Sequence, residues 1–314
     1  SLFSFYWKNF PRFDHSTTPF ILCKFKILKK FIQQQNIFSK IQNMVYYLIW
    51  TITYAKTVFR EVTHFMHTPK SRLHVLDLLR GILFLNMAAY HFLYDWVFLF
   101  GQSCPFMNTQ AAFLWQQMIC SGFILLAGCC CTLSRNPAKH GVQILGCGLV
   151  ITLVTVFITP QEQILFGILH FTGLAYLITA CLRPIASKLP ALPACAVAFL
   201  LFAFTKGIYY GYLGFLHTPL WYLPDWLYQF PMLFILGLPT PDFYSGDYFP
   251  LIPWFFLFLV GYFGGPAVLK SKPFAKIQQW YLPPFNWIGR RTLFLYMLHQ
   301  PVIFGALSLY FSIS

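Results

Sequence analysis

The segment from Val75 to Phe100, VLDLLRGILFLNMAAYHFLYDWVFLF, is long and apolar enough to cross a lipid bilayer, because a spanning helix needs ~20 mostly apolar residues. It nevertheless contains Asp77, Arg80, His91 and Asp95. An ionisable side chain near the bilayer midplane costs at least ~2.5–3.5 kcal/mol on insertion scales, so such residues usually line a cavity or a site. The sequence therefore predicts a spanning helix that carries part of a functional site.

The composition places the whole chain in the membrane class. Of the 314 residues, 58% are hydrophobic and only 10% are charged, and the mean hydropathy is +0.60. Soluble domains carry about 25% charged residues. The net charge of +14 comes from basic residues that lie between the apolar runs, where they face anionic lipid. We therefore expect an all-α, polytopic helix bundle whose partner is the lipid bilayer, and we expect no binding of nucleic acid.

The apolar runs predict about seven spanning helices, at 75–100, 110–132, 141–159, 163–182, 188–205, 250–268 and 291–311. Every second connection is basic, whereas the remaining connections contain only Lys206 among the lysines and arginines. The positive-inside rule then predicts a cytoplasmic N-terminus and an external C-terminus, and we expect a bacterial cytoplasmic membrane. In the long connection 206–249, Trp226–Leu238 predicts either a short re-entrant or interfacial helix or a simple surface loop.

Two regions are distinguished by composition. Residues 1–70 form a basic N-terminal segment that we expect to be poorly ordered or to lie on the membrane surface. The alternative is that translation starts at Met66 and that the preceding residues are extraneous. Residues 71–314 form the transmembrane domain.

The polar residues of the first span share one face of the helix. His91 lies eleven positions after Arg80, which is about 20° after whole turns and roughly 16 Å along the axis. Asp77 can pair with Arg80, and Asp95, four residues after His91, can accept its N–H. The arginine could hold an anionic group, and an imidazole oriented by a carboxylate is a general base. The alternative is an ion pair and a packing hydrogen bond with no catalytic role.

Further polar residues lie in later spans. FGILHFTG places His170 in the fourth span, LYMLHQP places His299 and Gln300 in the seventh, and Asp247 and Trp254 open the sixth. A zinc site and a proton relay are alternatives for the histidines. However, the chain has no paired histidine motif such as HExxH. The nine cysteines contain no CxxC pair and read as small packing residues, so we expect no metal.

Several of these motifs resemble one family in order along the chain. LDLLRGILFLNMAAYH, with an arginine followed by ten residues and then a histidine, looks like the signature of the acyltransferase-3 superfamily. Within it, the chain most resembles the short bacterial relatives of the heparan-α-glucosaminide N-acetyltransferase catalytic domain. The resemblance covers roughly 72–311, and the further matching segments are CSGFILLAG followed by Ser134 and Arg135, FGILHFTGLA, SGDYFPLIPWFFLFLVGYFGG and GRRTLFLYMLHQPVI.

The resemblance implies an O- or N-acyltransferase that moves an acyl group, commonly acetyl from acetyl-CoA, to a glycan-like or lipid-linked acceptor. It maps the family's essential histidine to His91 and its arginine to Arg80. The lysosomal heparan enzyme differs in having Asn at the position of His91. The expected catalytic residues are His91, Asp95, His170 and His299. The expected acyl-CoA contacts are Arg80, Arg135, Arg290 and Arg291, and the expected substrate contacts are Asp247, Trp254 and Gln300.

Two other functions remain open from the residues themselves. The same polar stripe would serve a small-solute or proton-coupled transporter, and a non-catalytic protein with this fold could bind a lipid or a protein partner. The sequence is also compatible with a homo-oligomer.

Overall fold

The computed structural model describes residues 73–215 and 218–313 of the chain. The predicted basic segment 1–70 lies outside the described residues. The described part is an all-α bundle, and seven of its helices are long and apolar enough to cross a membrane. The seven predicted spans are therefore confirmed. The spanning helices are α1 His74–Tyr94, α2 Gln110–Leu133, α3 Pro137–Ile158, α4 Ile168–Ala186, α5 Ala191–Thr205, α6 Leu251–Lys270 and α9 Thr292–Ile313.

Side-chain caps fix where several helices begin. Thr109 precedes α2 and accepts a hydrogen bond from the Ala112 N–H, and Asn136 precedes α3 and accepts one from the Lys139 N–H. Such caps satisfy backbone donors that have no partner inside the helix. The first span continues beyond Tyr94 through a π-helical turn, Asp95–Leu99, so its apolar run is longer than α1 itself.

Glycines bring α2 and α6 into close contact. A Cβ added to Gly128 would lie 2.1 Å from the Phe258 carbonyl oxygen, and one added to Gly261 would lie 2.1 Å from the Leu125 carbonyl oxygen. Only glycine permits this approach of the two backbones. The main core cluster lies around this contact and includes Phe258.

Two short helices, α7 Lys272–Ile277 and α8 Pro283–Arg290, lie between α6 and α9. Asn286 of α8 is fully buried, and its amide donates to the His74 carbonyl oxygen at 2.7 Å. Its Oδ1 accepts from the Leu282 N–H, also at 2.7 Å. This hydrogen bond holds α8 against the start of α1. The next helix, α9, runs beside α1 in the same direction.

The long connection between α5 and α6 departs from one of the two predicted alternatives, the re-entrant or interfacial helix. It contains a two-stranded antiparallel hairpin, β1 Tyr212–Phe215 and β2 Thr218–Tyr222. In place of one helix over Trp226–Leu238, two 3₁₀ turns occupy Asp225–Gln229 and Pro231–Leu236. Pro231 explains the break, because proline has no N–H and disfavours a helical conformation in the residue before it.

Candidate active site

The rings of His91 and His299 pack against each other. His91 lies in the last turns of α1 and His299 in the second turn of α9, and their ring centroids are 4.9 Å apart at an interplanar angle of 65°. Phe84 and Tyr296 pack on the same His299 ring, with centroids 6.3 and 5.1 Å away. Both histidines are partly buried. The fold thus unites two predicted catalytic residues that are 208 positions apart in the chain.

The two nitrogens of His299 have different surroundings. Nδ1 lies 2.6 Å from the Tyr296 carbonyl oxygen. Nε2 is buried and has no hydrogen-bond partner among the described residues. The His91 ring also makes no hydrogen bond within the part of the chain that the structure describes. The imidazole pair therefore retains unused hydrogen-bonding capacity, which is what a site that receives a polar ligand requires.

Asp95 is not bonded to His91. Its carboxylate is fully buried, and both oxygens accept hydrogen bonds from the Gln300 amide nitrogen, at 2.9 and 3.0 Å. The predicted hydrogen bond from His91 to Asp95 is therefore wrong. The reason is that α9 places an amide donor against the carboxylate, a neighbour that the spacing within α1 does not reveal. The Gln300 Oε1 atom is buried and has no partner among the described residues.

His170 has a different environment. Its Nδ1 accepts from the Gly167 N–H at 3.2 Å, and its Nε2 lies 3.0 Å from the Thr152 hydroxyl. That hydroxyl donates to the Ile164 carbonyl oxygen at 2.6 Å, so it accepts from Nε2–H. Both ring nitrogens are thus engaged within the protein, and His170 closes the first turn of α4.

Asp247 lies beside the N-terminal turn of α4, the turn that contains His170. Its Oδ2 accepts from the Ile168 N–H at 3.1 Å, in the first turn of α4. Burial raises the pKa of the Asp247 carboxyl to about 6, although the hydrogen bond from Ile168 opposes the shift. The Gly246 N–H donates to the Gln163 carbonyl oxygen at 2.7 Å, and Phe249 N–H donates to Phe166 at 2.9 Å. Asp247 therefore helps to join two loops.

Trp254, predicted to contact substrate, lies in the core. It is 2% exposed, and its ring packs on Phe202 and Phe249 with centroids 5.8 and 5.3 Å away. The ring thereby joins the aromatic packing between α5 and the start of α6, and its contact with substrate stays a prediction.

The predicted acyl-CoA contacts divide into two sets. Arg80 donates to Oδ1 of the buried Asp77 at 3.2 Å, which confirms the predicted pair, and Arg290 Nε lies 3.7 Å from Oδ2. About one third of each arginine side chain remains exposed. Arg291 instead packs over the Trp287 ring at 4.6 Å, and Arg135 is exposed after α2. Two guanidinium groups that share one carboxylate leave one net positive charge to attract an anion.

Some contacts that shape the site have no signal in the sequence. Arg290 reaches Asp77 because Asn286 fixes α8 against α1, and the Tyr296 carbonyl oxygen engages His299 through local helix geometry. Only Asn286, a polar residue in a largely apolar segment, could have been noticed in advance. The described residues contain no group of three or more His, Cys, Asp or Glu that could hold a metal ion.

Comparison with known proteins decides the family. The family model described as "Heparan-alpha-glucosaminide N-acetyltransferase, catalytic" matches residues 72–301, which is more than two thirds of the chain. The chain belongs to this family. The match includes both members of the imidazole pair as well as Asp95 and Gln300. Searches of curated proteins and of solved structures give no match. Membership of the heparan-alpha-glucosaminide N-acetyltransferase family implies acyltransferase activity in general.

Proposed function

We propose that this protein moves an acyl group, in the first place acetyl, from cytoplasmic acyl-CoA to a hydroxyl or amine of a glycan or other envelope acceptor. The observation that carries this proposal is the pair of imidazoles, His91 and His299, at 4.9 Å between two spanning helices. Imidazole is the commonest general acid and base in enzymes. Acyl transfer to a hydroxyl or amine needs such a group, because the nucleophile must lose a proton as it attacks.

The donor is proposed to enter from the basic end of the bundle. All lysines and arginines of the described residues except Lys206 belong to this end, which positive-inside orientation places in the cytoplasm. Here Arg80 and Arg290 share Asp77 and supply the net positive charge for the phosphates of CoA. Arg80 and His91 lie about 16 Å apart along α1. An extended acyl-CoA arm would therefore reach from the arginines to the imidazoles.

The acceptor is proposed to enter from the opposite, external end. His91 and Asp95 lie in the half of α1 that is remote from the basic loops. This arrangement suits an acceptor of the cell envelope, with the N-terminus of the chain inside and the C-terminus outside a bacterial cytoplasmic membrane. The donor and acceptor would then meet at the imidazole pair within the bundle.

The first test measures binding and transfer with purified protein. We expect acetyl-CoA to raise the thermal midpoint of the protein more than ATP does, because binding to the folded state stabilises it. Desulfo-CoA should bind without supporting transfer. His91→Ala should lower transfer of radiolabelled acetyl clearly while leaving the thermal midpoint close to that of the wild type.

A matched control is His140→Ala. His140 is exposed near the start of α3 and contacts Ser134 at 2.9 Å, so its loss should leave transfer unchanged. Full activity of the His91→Ala variant would refute the role of the imidazole pair. Flux of a solute through proteoliposomes without consumption of acetyl-CoA would favour a transporter instead.

A further inference from the structure

We infer that His299 is the group that removes the proton from the acceptor, and that the backbone of α9 fixes its ring in the tautomer this role requires. The inference rests on the proposed acyl transfer and refines it, because the sequence pattern assigns this step to His91. The contacts of the two rings lead to the opposite assignment.

The tautomer of His299 follows from a single contact. A backbone carbonyl oxygen can only accept a hydrogen bond, so the 2.6 Å distance between Nδ1 and the Tyr296 carbonyl oxygen places the ring proton on Nδ1. In a neutral imidazole the other nitrogen, Nε2, then carries the lone pair. Because residues 296 and 299 lie in the same helix turn, the contact is maintained by α9 itself and does not depend on another helix.

The lone pair of Nε2 is available to a ligand. The atom is buried and has no hydrogen-bond partner among the described residues. Native proteins rarely leave a buried polar atom without a protein, water or ligand partner. A buried acceptor of this kind is complementary to a hydrogen-bond donor. The hydroxyl or amine of the acyl acceptor is such a donor, and transfer of its proton to Nε2 is general-base catalysis.

No comparable contact orients His91. The described residues make no hydrogen bond to its ring, and Asp95, the expected orienting group, is engaged by Gln300. His91 lies against the ring of His299, with centroids 4.9 Å apart. We therefore assign it a positioning role, in which its ring packs against the ring of the base.

The resulting step is balanced in atoms and charge. Nε2 of His299 takes the proton of the acceptor O–H or N–H as the oxygen or nitrogen forms a bond to the thioester carbonyl carbon. The tetrahedral intermediate collapses with cleavage of the C–S bond. The sulfur of CoA leaves and receives the proton from Nε2, which returns His299 to its neutral state. No oxidant, reductant or further reactant is required.

The decisive variant is His299→Asn. The Asn side-chain N–H₂ can occupy the position of Nδ1 and still donate to the Tyr296 carbonyl oxygen, whereas nothing replaces Nε2. We expect this variant to fold with a thermal midpoint close to that of the wild type and to lose at least about 100-fold in kcat, the range typical of a lost general base. His91→Asn is the matched control, for which we expect a smaller loss.

The pH dependence of kcat/KM separates the two histidines. In the wild type we expect kcat/KM to fall at low pH as the base becomes protonated, and we expect the same fall in His91→Asn. In His299→Asn the residual activity should not fall at low pH. Among the described residues, the titratable side chains that pack on the His299 ring are His91 on α1 and Tyr296 on α9, and Tyr296 is unaltered in both variants.

A spectroscopic measurement tests the tautomer directly. In NMR spectra of ¹⁵N-histidine-labelled protein in nanodiscs, we expect the signals of one ring with a protonated Nδ1 and an unprotonated Nε2. These signals should be absent from the spectra of His299→Asn. Protonated Nε2 at His299, or a His299→Asn variant that keeps more than a tenth of the activity, would overturn the inference while leaving acyl transfer intact. A wild-type protein that neither binds acetyl-CoA nor transfers acetyl would instead refute the proposed function itself.

Discussion

At the scale of single residues, the stability of the site depends on one hydrogen-bonded pair. Gln300 is the only described side chain that donates to the buried carboxylate of Asp95. Gln300→Leu leaves that carboxylate without a donor, which costs about 1–3 kcal/mol, so we expect a clearly lower thermal midpoint in detergent. Removing both polar groups, in Asp95→Leu with Gln300→Leu, should cost less than the two single losses combined.

The double-mutant cycle has a simple control. Gln110 is exposed at the start of α2, so Gln110→Leu should leave the midpoint almost unchanged. Strictly additive losses in the cycle would show that Asp95 and Gln300 do not interact, since contacting pairs usually show coupling of about 0.5–3 kcal/mol.

Asp247 makes stability depend on pH. Its pKa is about 6 in the folded protein, against 3.8 as the ordinary value, because the carboxyl is buried. Between these values the folded chain holds a proton that the unfolded chain has released, so the contribution of Asp247 to the free energy of unfolding falls as pH rises. Asp247→Asn lacks this titration and can still accept from the Ile168 N–H.

We therefore expect the midpoint of the wild type to drop relative to Asp247→Asn as pH rises from about 4 to about 7. Differential scanning fluorimetry of both proteins across this range measures the difference, and the variant serves as the reference for all other titrating groups. A wild type that instead gains stability over Asp247→Asn with rising pH would contradict the assignment.

Residue spacing within one helix predicted contacts along that helix but not between helices. The Asp77–Arg80 pair, three residues apart, is present as predicted. The bond from His91 to Asp95 is absent because Gln300, 205 positions away, occupies the carboxylate. Local spacing cannot show which side chain a distant helix presents, so the joining of His91 and His299 also required the structure.

At the scale of elements, the position of Arg290 depends on the contact between α8 and α1. A Cβ on Gly289 would lie 1.7 Å from the Asp77 carbonyl oxygen, and one on Gly81 would lie 2.1 Å from that of Phe285. Gly289→Ala must therefore push α8 away from α1. We expect a lower yield of folded protein, a loss of about 1–3 kcal/mol typical of overpacking, and weaker stabilisation by acetyl-CoA as Arg290 moves from Asp77.

The matched control lies in α3. A Cβ on Gly146 would meet no atom of the described residues within 4 Å, so Gly146→Ala should be tolerated or should stabilise the helix by up to about 1 kcal/mol. Thermal midpoints of the two variants, measured in the same detergent, give the comparison. Equal tolerance of alanine at both positions would show that α8 does not pack on α1 as described.

Hydropathy located the seven spans well because membrane insertion depends on long apolar runs. It did not locate α8, the π-helical turn after Tyr94 or the hairpin β1–β2. Their short segments are stabilised by tertiary contacts such as that of Asn286 with the His74 carbonyl oxygen. Such contacts leave no periodic pattern in the sequence.

At the scale of the whole molecule, charge is distributed unevenly between the two ends of the bundle. Among the described residues, Asp77 is the only acidic residue near the basic end, whereas Asp95, Glu162, Asp225, Asp242 and Asp247 belong to the other half. An odd number of spans places the start of α1 and the end of α9 on opposite sides of a membrane. Positive-inside orientation then predicts that α9 ends outside the cell.

Fusions of alkaline phosphatase test this orientation, because the enzyme is active only when it is exported. A fusion after Ile313, at the end of α9, should be active, and a fusion after Leu189, in the basic connection between α4 and α5, should be inactive. Both fusions carry the same reporter and differ only in its position, so each controls for the other. The reverse pattern would place Arg80 and Arg290, the two arginines paired with Asp77, outside the cell and away from cytoplasmic acyl-CoA. The proposed direction of acyl transfer would then fail even if the imidazole pair were still required for transfer.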